Sequence, residues 1–455
     1  VRGTDEGGKE TMAKKSYLTV TDQFCGAGGS SIGATATGVE LRVALNHWQL
    51  AIETHNSNFP NALHDCTDIS ACDPRRYPST DILITSPECT NHSLAKGKRR
   101  HSQPDLFGAN VPDPAEERSR ATMWDVPRFA EYHRYNAIIV ENVVDAKHWV
   151  TWDAWLHAMQ LLGYEHQIVF FNSMFAWPTP QSRDRMYVVF WRKGNARPDL
   201  DFHPAAHCER CGKTVESVQS WKRHGQRWGR YGAQYVYRCP TCAAEVKPFY
   251  NPAASAIDWT LPAPRIGDRN KPLKGKTVDR IQKGLDKYGR RELIVDTSFG
   301  DGDRASLVSE PLRTQTTRQT MALIMPYYST GVARPTSEPI PTVTTTDRHA
   351  LVVAPPFILG YYTRVSGVRA AISGVNEPMP TQSTQPRHYL VQPGGVPSVE
   401  DCGFRMLRPH EIHNAMAFPS DYKVLGNNRE QVRQLGNAVT PPVMKLLVER
   451  VVRAL

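Results

Sequence analysis

Between Tyr17 and about Arg192, short apolar runs alternate with stretches of helical spacing, and this alternation constrains the fold more than any other feature of the chain. "YLTV" precedes "CGAGG", "LRVAL" precedes "NHWQLAIETHNSNF", and "DILIT" precedes "SPECTNHS". "NAIIVENV" and "MYVVFW" are further apolar runs of strand length. Apolar strands separated by amphipathic helices build a mostly parallel α/β sheet with helices on both faces. Ligands of such sheets bind at the carboxyl ends of the strands. The chemically sharp residues here, in "CGAGG", "PEC" and "ENV", all follow strands.

With 455 residues the chain is too long for one compact core, so two or three domains are expected. From about Lys193 proline, threonine and arginine rise and helical periodicity fades. Three related stretches begin at Glu310, Glu338 and Glu377. They share Glu-Pro, then threonine at the fifth position (Thr314, Thr342, Thr381) and at the eighth (Thr317, Thr345, Thr384). Arg348-His349 and Arg387-His388 occupy matching places, and a short apolar strand follows each turn. The threonines read equally well as ordinary strand formers. The arginines and histidines are the better candidates for nucleic-acid contact. From Phe404 helical patterning returns, ending in a helix opened by Pro441-Pro442.

The formal charge of +10 suits a polyanionic partner. No run approaches the roughly 18 apolar residues of a membrane span, so no membrane partner is expected. Residues 1–15 read as a flexible leader. Nine cysteines, an odd number, argue against a disulfide framework and for a reducing compartment. Four of them form two C-x-x-C pairs, Cys208 with Cys211 and Cys239 with Cys242, with 27 residues between the pairs. Such a set makes a closed tetrahedral thiolate site for structural Zn2+. The stretch between the pairs, "WKRHGQRWGRYGAQYVYR", suits phosphate contact and base stacking, or equally a solvated face.

In "DQFCGAGG" a strand runs through glycines into a helix start. Gly26, Gly28 and Gly29 let the backbone approach a ligand, and the helix start offers N–H groups. That alone suggests a nucleotide-like cofactor. The next strand would normally end in an acid that holds ribose hydroxyls; here it ends in Asn46, followed by His47.

Together, in order and spacing, "DQFCGAGG", "SPECTNHS", "ENVV", "PQSRDR" and "LGNAVTPPV" resemble the DNA (cytosine-5)-methyltransferase family over about 16–192 and 404–455. The resemblance implies a Rossmann-like class I methyltransferase sheet, S-adenosylmethionine as donor and carbon 5 of a cytosine in double-stranded DNA as target. Residues 193–403 would form the family's variable target-recognition domain: irregular, β-rich, with a zinc ribbon at about 205–246 and the threonine repeats at about 300–395. Residues 404–455 would return to complete the catalytic domain.

The same resemblance assigns roles. Cys89 is the nucleophile that adds to carbon 6 of cytosine. Glu141 meets the ring near nitrogen 3 and the amino group, Arg185 binds the base oxygen, and Arg183 supports it. Phe24 packs on adenine, and Asp68 with Ile69 meets its polar edge. Cys25, Gly26, Ala27, Gly28, Gly29 and Pro87 line the donor pocket, with Asn46 and His47 at the ribose. Asn437 and Val439 close it from the last segment. Apart from the resemblance, the basic residues Lys96, Lys98, Arg99 and Arg100 after the cysteine read as gripping phosphates on a mobile loop, or as simply solvated.

Three positions depart from the family pattern: Glu88 stands for proline, Thr90 for glutamine, and Asn46 for the ribose-binding glutamate. A carboxylate beside a thiol opposes thiolate formation, so Glu88 is expected to point away from Cys89. The altered donor side raises the alternative of carboxy-S-adenosylmethionine as donor, giving 5-carboxymethylcytosine. Other readings are the same chemistry on RNA and a catalytically inactive DNA-binding protein. A monomer in the cytoplasm of a prokaryote, or of a virus-infected one, is expected, with a cognate restriction enzyme as a candidate partner.

Overall fold

The computed structural model describes residues 17–87, 122–288, 293–296, 305–315, 317, 321–326, 357–364, 367–374, 388–391 and 398–455. Glu88, Cys89, Thr90, Lys96, Lys98, Arg99 and Arg100 lie outside these residues. So do Thr342, Thr345, Arg348, His349, Thr381, Thr384 and Arg387 of the repeats.

The first part of the chain runs β1 (Thr19–Gln23), α1 (Gly29–Thr35), β2 (Glu40–Asn46), α2 (Gln49–Asn58), β3 (Leu63–Cys66) and β4 (Ile82–Thr85). After α3 (Asp125–His133) come β5 (Ala137–Asn142), α4 (Trp152–Leu161), β6 (Tyr164–Asn172), β7 (Gln181–Ser182) and β8 (Asp184–Arg192). Seven of these strands form one sheet in the order β3-β2-β1-β4-β5-β8-β6. All neighbours are parallel except where β8 inserts antiparallel between β5 and β6. Strand order reverses between β1 and β4, so right-handed crossovers place α1 and α2 on one face and α3 on the other. The central strands are buried on both faces, which is why Ile82-Leu83-Ile84 and Ala137–Val140 read as unbroken apolar runs. The expected doubly covered α/β sheet is therefore present.

Five short strands follow: β9 (Ala205–Cys208), β10 (Lys213–Glu216), β11 (Val218–Trp221), β12 (Tyr235–Arg238) and β13 (Glu245–Val246). They share the core of the main sheet: Trp221 meets Phe170 edge-on at 5.7 Å, and Tyr237 meets Phe175 at 5.2 Å. Next come α5 (Gly275–Tyr288), β14 (Leu293–Asp296), β15 (Ala305–Leu307), β16 (Leu312–Arg313) and β17 (Met321–Pro326). The remaining strands are β18 (Phe357–Arg364), β19 (Gly367–Gly374), β20 (His388–Val391) and β21 (Cys402–Met406). A four-stranded sheet forms in the order β15-β14-β17-β21, and the expected boundary between 403 and 404 falls inside its last strand. The first threonine repeat docks on the catalytic side: β16 pairs with β7, and Thr314 Oγ1 donates to Ser182 O at 2.9 Å.

The chain then returns through α6 (Pro409–Ala415), α7 (Asn428–Asn437) and α8 (Pro441–Ala454). This return explains the glycines of α1. A Cβ at Gly29 would lie 1.9 Å from Val439 O, and one at Gly33 would lie 2.4 Å from Pro441 O. Four residues apart, the two glycines share a helix face and form the flat seat on which α8 begins. Gly29→Ala is therefore expected to lower stability by about 1–3 kcal/mol through overpacking against backbone that cannot swing aside. A shift in the urea midpoint at unchanged slope would measure it; an unchanged midpoint would show the seat to be loose.

Candidate active site

All five parallel strands of the first half end on one rim. There, where the β5–β8 ladder ends (Asn142 with Met186), Glu141, still paired with Tyr187, meets Arg185, one residue past the ladder: Arg185 Nε lies 2.8 Å from Glu141 Oε1. Both side chains are largely buried, at 11% and 15% exposed. A pair so placed keeps charge only because each partner neutralises the other. The loop after β4 leaves from the same rim, since Asn142 Nδ2 donates to Pro87 O at 3.4 Å. Cys89 follows Pro87 by two residues along that loop, outside the described residues.

Arg183 has a different setting. It is 4% exposed and donates to the carbonyls of Gly436 at 3.2 Å, Ala438 at 3.1 Å and Gln315 at 3.4 Å. It clamps the end of α7 and the first repeat against the rim, so it acts on the site through the C-terminal return.

The glycine turn divides by surroundings. Phe24 is half-buried with φ of 56°, and Gly26, at φ +51°, has only Phe24 O near a would-be Cβ, at 3.8 Å. These two keep an open side. Gly28, at φ +84°, caps α1; a Cβ there would fall 2.2 Å from the Tyr422 hydroxyl. Tyr422 donates to Ala27 O at 2.6 Å, and Cys25 packs inward with Ala44 and Ile52. Gly28 and Gly29 thus lack side chains because protein, from the far end of the chain, lies against them.

Elsewhere on the rim, Asn46 Oδ1 accepts from Trp48 N at 2.9 Å, a local bond in the turn that leads into α2, while His47 is exposed. Asp68 is exposed and caps its own turn through Ser70 N at 3.1 Å. Ile69 is buried in the core, and its carbonyl is held by Arg128. Asn437 is exposed at the end of α7, and Val439 is buried against Gly29. The residues present fit an adenosyl ligand. Phe24 offers a ring face, Gly26 a backbone unobstructed by the described residues, and the buried Gln23 amide and Thr85 hydroxyl hold polar atoms without partners among the described residues at the ends of β1 and β4.

A buried polar chain behind this turn carries no signal in the sequence. Asp22 Oδ2 is held by the hydroxyls of Ser30 at 2.5 Å and Ser31 at 2.6 Å. Ser31 Oγ lies 3.0 Å from His55 Nε2, His55 Nδ1 lies 2.8 Å from His64 Nε2, and His64 Nδ1 lies 2.9 Å from Ala62 O. A carbonyl only accepts, so neutral His64 donates to Ala62 and accepts from His55. With His55 neutral as well, its Nε2 accepts from Ser31, whose single proton is then spent, and a protonated Asp22 donates to Ser31 in place of accepting from it. The chain closes without a charge when Asp22 is protonated and both histidines are neutral. Burial acts the same way, pushing the Asp22 carboxyl up to about 6 and the His55 imidazole down to about 3.

The four cysteines come together as expected. β9 and β10 carry the first pair in their turn, and β12 and β13 carry the second. Gly212 and Ala243, each directly after a second cysteine, take left-handed φ of 64° and 57° to close the knuckles. The four sulfurs lie within 4.8 Å of one another, with Cys208 to Cys242 at 3.5 Å and Cys211 to Cys239 at 3.8 Å. Tetrahedral zinc with bonds near 2.3 Å places its sulfurs about 3.8 Å apart, so the set fits. Backbone N–H groups of Cys242 and Thr241 draw the Cys239 thiol down to about 6, and its sulfur neighbours push Cys211 up to about 12. That crowding is what a dication relieves.

Sheet order, antiparallel β8 and the rim chemistry define a Rossmann-like class I methyltransferase fold with an added β-rich part. The chain belongs to the C-5 cytosine-specific DNA methylase family, whose model matches residues 18–226 and 303–453; membership in that family implies S-adenosylmethionine. Among curated relatives it is 34% identical over 86 residues to the Type II methyltransferase M.HgiDI of Herpetosiphon aurantiacus, covering 18% of this chain and 27% of that one. It is 25% identical over 187 residues to M.HgiCII of the same organism, covering 40% and 39%. These alignments thus span well under half of either relative. Among solved structures, a Spodoptera frugiperda DNMT2 variant aligns at 14% identity and a TM-score of 0.48, over 96% of this chain and 100% of that one. The Entamoeba histolytica methyltransferase EhMeth aligns at 12% and 0.47, over 96% and 99%.

Proposed function

We propose that this chain is a DNA (cytosine-5)-methyltransferase that acts on a cytosine extruded from duplex DNA. The observation that carries the reading is the Glu141–Arg185 pair, nearly buried, on the rim from which the Cys89 loop departs. An aromatic carbon is a poor nucleophile. Addition of the Cys89 thiolate to carbon 6 makes carbon 5 enamine-like. Glu141 hydrogen-bonds nitrogen 3 and the amino group and stabilises the charge that develops, and Arg185 holds the ring oxygen. S-adenosylmethionine, when bound, supplies an electrophilic methyl group. Phe24, Gly26 and the rim of β1 hold its adenosyl part, with Asn46, His47, Asp68 and Pro87 around it and Val439 behind Gly29. Carbon 5 takes up that methyl group while the donor leaves as a neutral thioether, and loss of the carbon 5 proton to solvent then expels the Cys89 thiolate and restores the ring. The base must leave the stack to be reached.

In this reading residues 16–192 and 404–455 are the catalytic part and 193–403 the target-recognition part. Cys208, Cys211, Cys239 and Cys242 hold a structural zinc with no position left for water. No helix among the described residues is long and apolar enough to cross a membrane; the proposed place of action is the prokaryotic cytoplasm, as a monomer, with a cognate restriction enzyme as candidate partner.

Mass spectrometry of nucleosides from duplex DNA treated with the protein and S-adenosylmethionine tests this. 5-Methylcytosine is the expected product. 5-Carboxymethylcytosine formed only with carboxy-S-adenosylmethionine would move the assignment to that donor. No modified cytosine with either donor, on whole-genome DNA, would sink the enzymatic reading.

A further inference from the structure

The four-cysteine module reaches into the active site at two places. Between β11 and β12 the chain turns back on itself: Lys222 N donates to Gln234 O, Arg230 N to the Gln234 side chain, and Gln234 N to Arg230 O, each at 2.9 Å. Gly229, at φ +147°, makes the turn possible; a Cβ there would lie 2.2 Å from that of Gln234. The side chain of Arg230 leaves this turn and pairs with Asp145 at 2.6 Å. Asp145 sits in the single turn Val144–His148, four residues past Glu141. The next residue, Tyr231, donates its backbone N–H to Asp184 Oδ1 at 2.9 Å, and Asp184 immediately precedes Arg185. Trp228 and Tyr231 add ring contacts to His148 at 4.5 Å and Phe175 at 4.8 Å.

The placement matters because β5 and β8 stop pairing there. Asn142 with Met186 is their last ladder pair, and β8 continues toward Asp184 alongside β6 alone. Glu141 is still laddered to Tyr187, but Arg185 lies one residue beyond the last β5–β8 pair, where β6 alone holds β8, so the two side chains meet at the edge of that ladder. Two acids flank them in sequence: Asp145 follows Glu141 by four residues and Asp184 precedes Arg185. Burial raises the Asp184 carboxyl above its ordinary range, and the charges of Arg230, which pairs with Asp145, and of Arg185 act against that. Without Arg230, Asp184 depends on Arg185, the cation that Glu141 also holds.

We propose that Arg230 and Tyr231 are positioning residues. They staple the β5 exit to the β8 entrance, so that the cysteine module forms a third part of the active site. This rests on the reading of Glu141 and Arg185 as the base-binding pair. Metal at the four cysteines would stiffen the turn that presents both residues.

The test compares the full chain with Arg230→Ala, Arg230→Lys and the exchange of Arg230→Asp with Asp145→Arg. Expected for Arg230→Ala is a kcat for DNA methylation about ten- to a hundredfold lower, the size of effect that small misplacement of reacting groups produces. The Kd for the same duplex, measured separately, should move less than about threefold. Arg230→Lys and the exchanged pair should each recover most of the loss relative to Arg230→Ala and to Arg230→Asp alone. A weaker Kd at unchanged kcat would assign Arg230 to a phosphate instead and overturn the proposal. So would an unchanged kcat, or a fall in kcat accompanied by loss of bound zinc. Hydrogen exchange over residues 143–149 gives an answer that needs no turnover: it should quicken in Arg230→Ala while exchange in β1 and β4 stays as in the parent. Equal protection of that turn in both proteins overturns the staple even if the parent methylates nothing, whereas faster exchange in an inactive parent's variant leaves the staple standing and fails only the enzymatic reading.

Discussion

Glu141→Gln is expected to leave a folded protein whose methylation rate falls by about 10²–10³-fold, the effect of removing one group aimed at developing charge. Glutamine keeps a carbonyl oxygen for Arg185, 2.8 Å away in the parent, so the guanidinium is not left alone in a nearly buried site. Alanine would strand it, at a cost of about 3–5 kcal/mol that mixes stability with catalysis. The amide cannot supply both a full negative charge and a proton, which is what a ring nitrogen gaining and losing electron density requires. Trapping on duplexes with 5-fluorocytosine in place of cytosine separates steps: slow adduct formation at normal DNA affinity places the defect at Cys89 addition. Turnover within tenfold of the parent would remove Glu141 from the chemistry.

A second large effect is expected from the buried chain behind the glycine turn. Asp22 has a folded value near 6 against an ordinary 3.8, so its contribution to stability is present below about pH 4 and lost as pH rises toward 6. His55 has a folded value near 3 against an ordinary 6.5, so its contribution is present above 6.5 and lost as pH falls. Between about pH 4 and 6 each alone gives a slope of about 1.4 kcal/mol per pH unit, of opposite sign. Folding there takes one proton from a histidine and gives one to a carboxylate, and the slopes cancel. Asp22→Asn keeps an oxygen for Ser30 and an amide N–H for Ser31 but abolishes one slope. Stability of that variant, relative to the parent, should climb with pH by about 3 kcal/mol across the window. His64, also held below its ordinary value by burial, tilts the parent and variant curves alike and drops out of their difference. His55→Asn should show the reverse trend. Urea midpoints at a series of pH values measure both, and variant curves parallel to the parent would show that the two groups do not share their protons in this way.

Some of this protein is written locally and can be read without a fold. Strand and helix differ in the spacing of apolar residues, so "YLTV", "DILIT" and "NAIIVENV" announce buried parallel strands whatever surrounds them. Two C-x-x-C knuckles announce a four-sulfur cluster because each pair is set by its own tight turn, with Gly212 and Ala243 closing them. Glu141 is legible for a related reason, because "ENV" ends a strand and carboxyl ends of strands face the ligand in such sheets; Arg185 is marked only by the resemblance of "PQSRDR" to the family motif.

What only the tertiary structure decided are meetings between residues far apart in sequence. Gly28 and Gly29 read as room for a ligand, but Tyr422 and Val439 fill that room. Arg183 reads as a partner of Arg185, but it holds the carbonyls of Gly436 and Ala438. Nothing in "CERC" or "CPTC" says that the turn between them will grip Asp145 and Asp184, and nothing in "GGSS" says that Ser31 will bridge Asp22 and His55. The physical reason is the same in each case. A period of two or of 3.6 residues is a property of neighbours in the chain, whereas these contacts depend on the order of strands in the sheet and on the last fifty residues coming back to lie on the first helix.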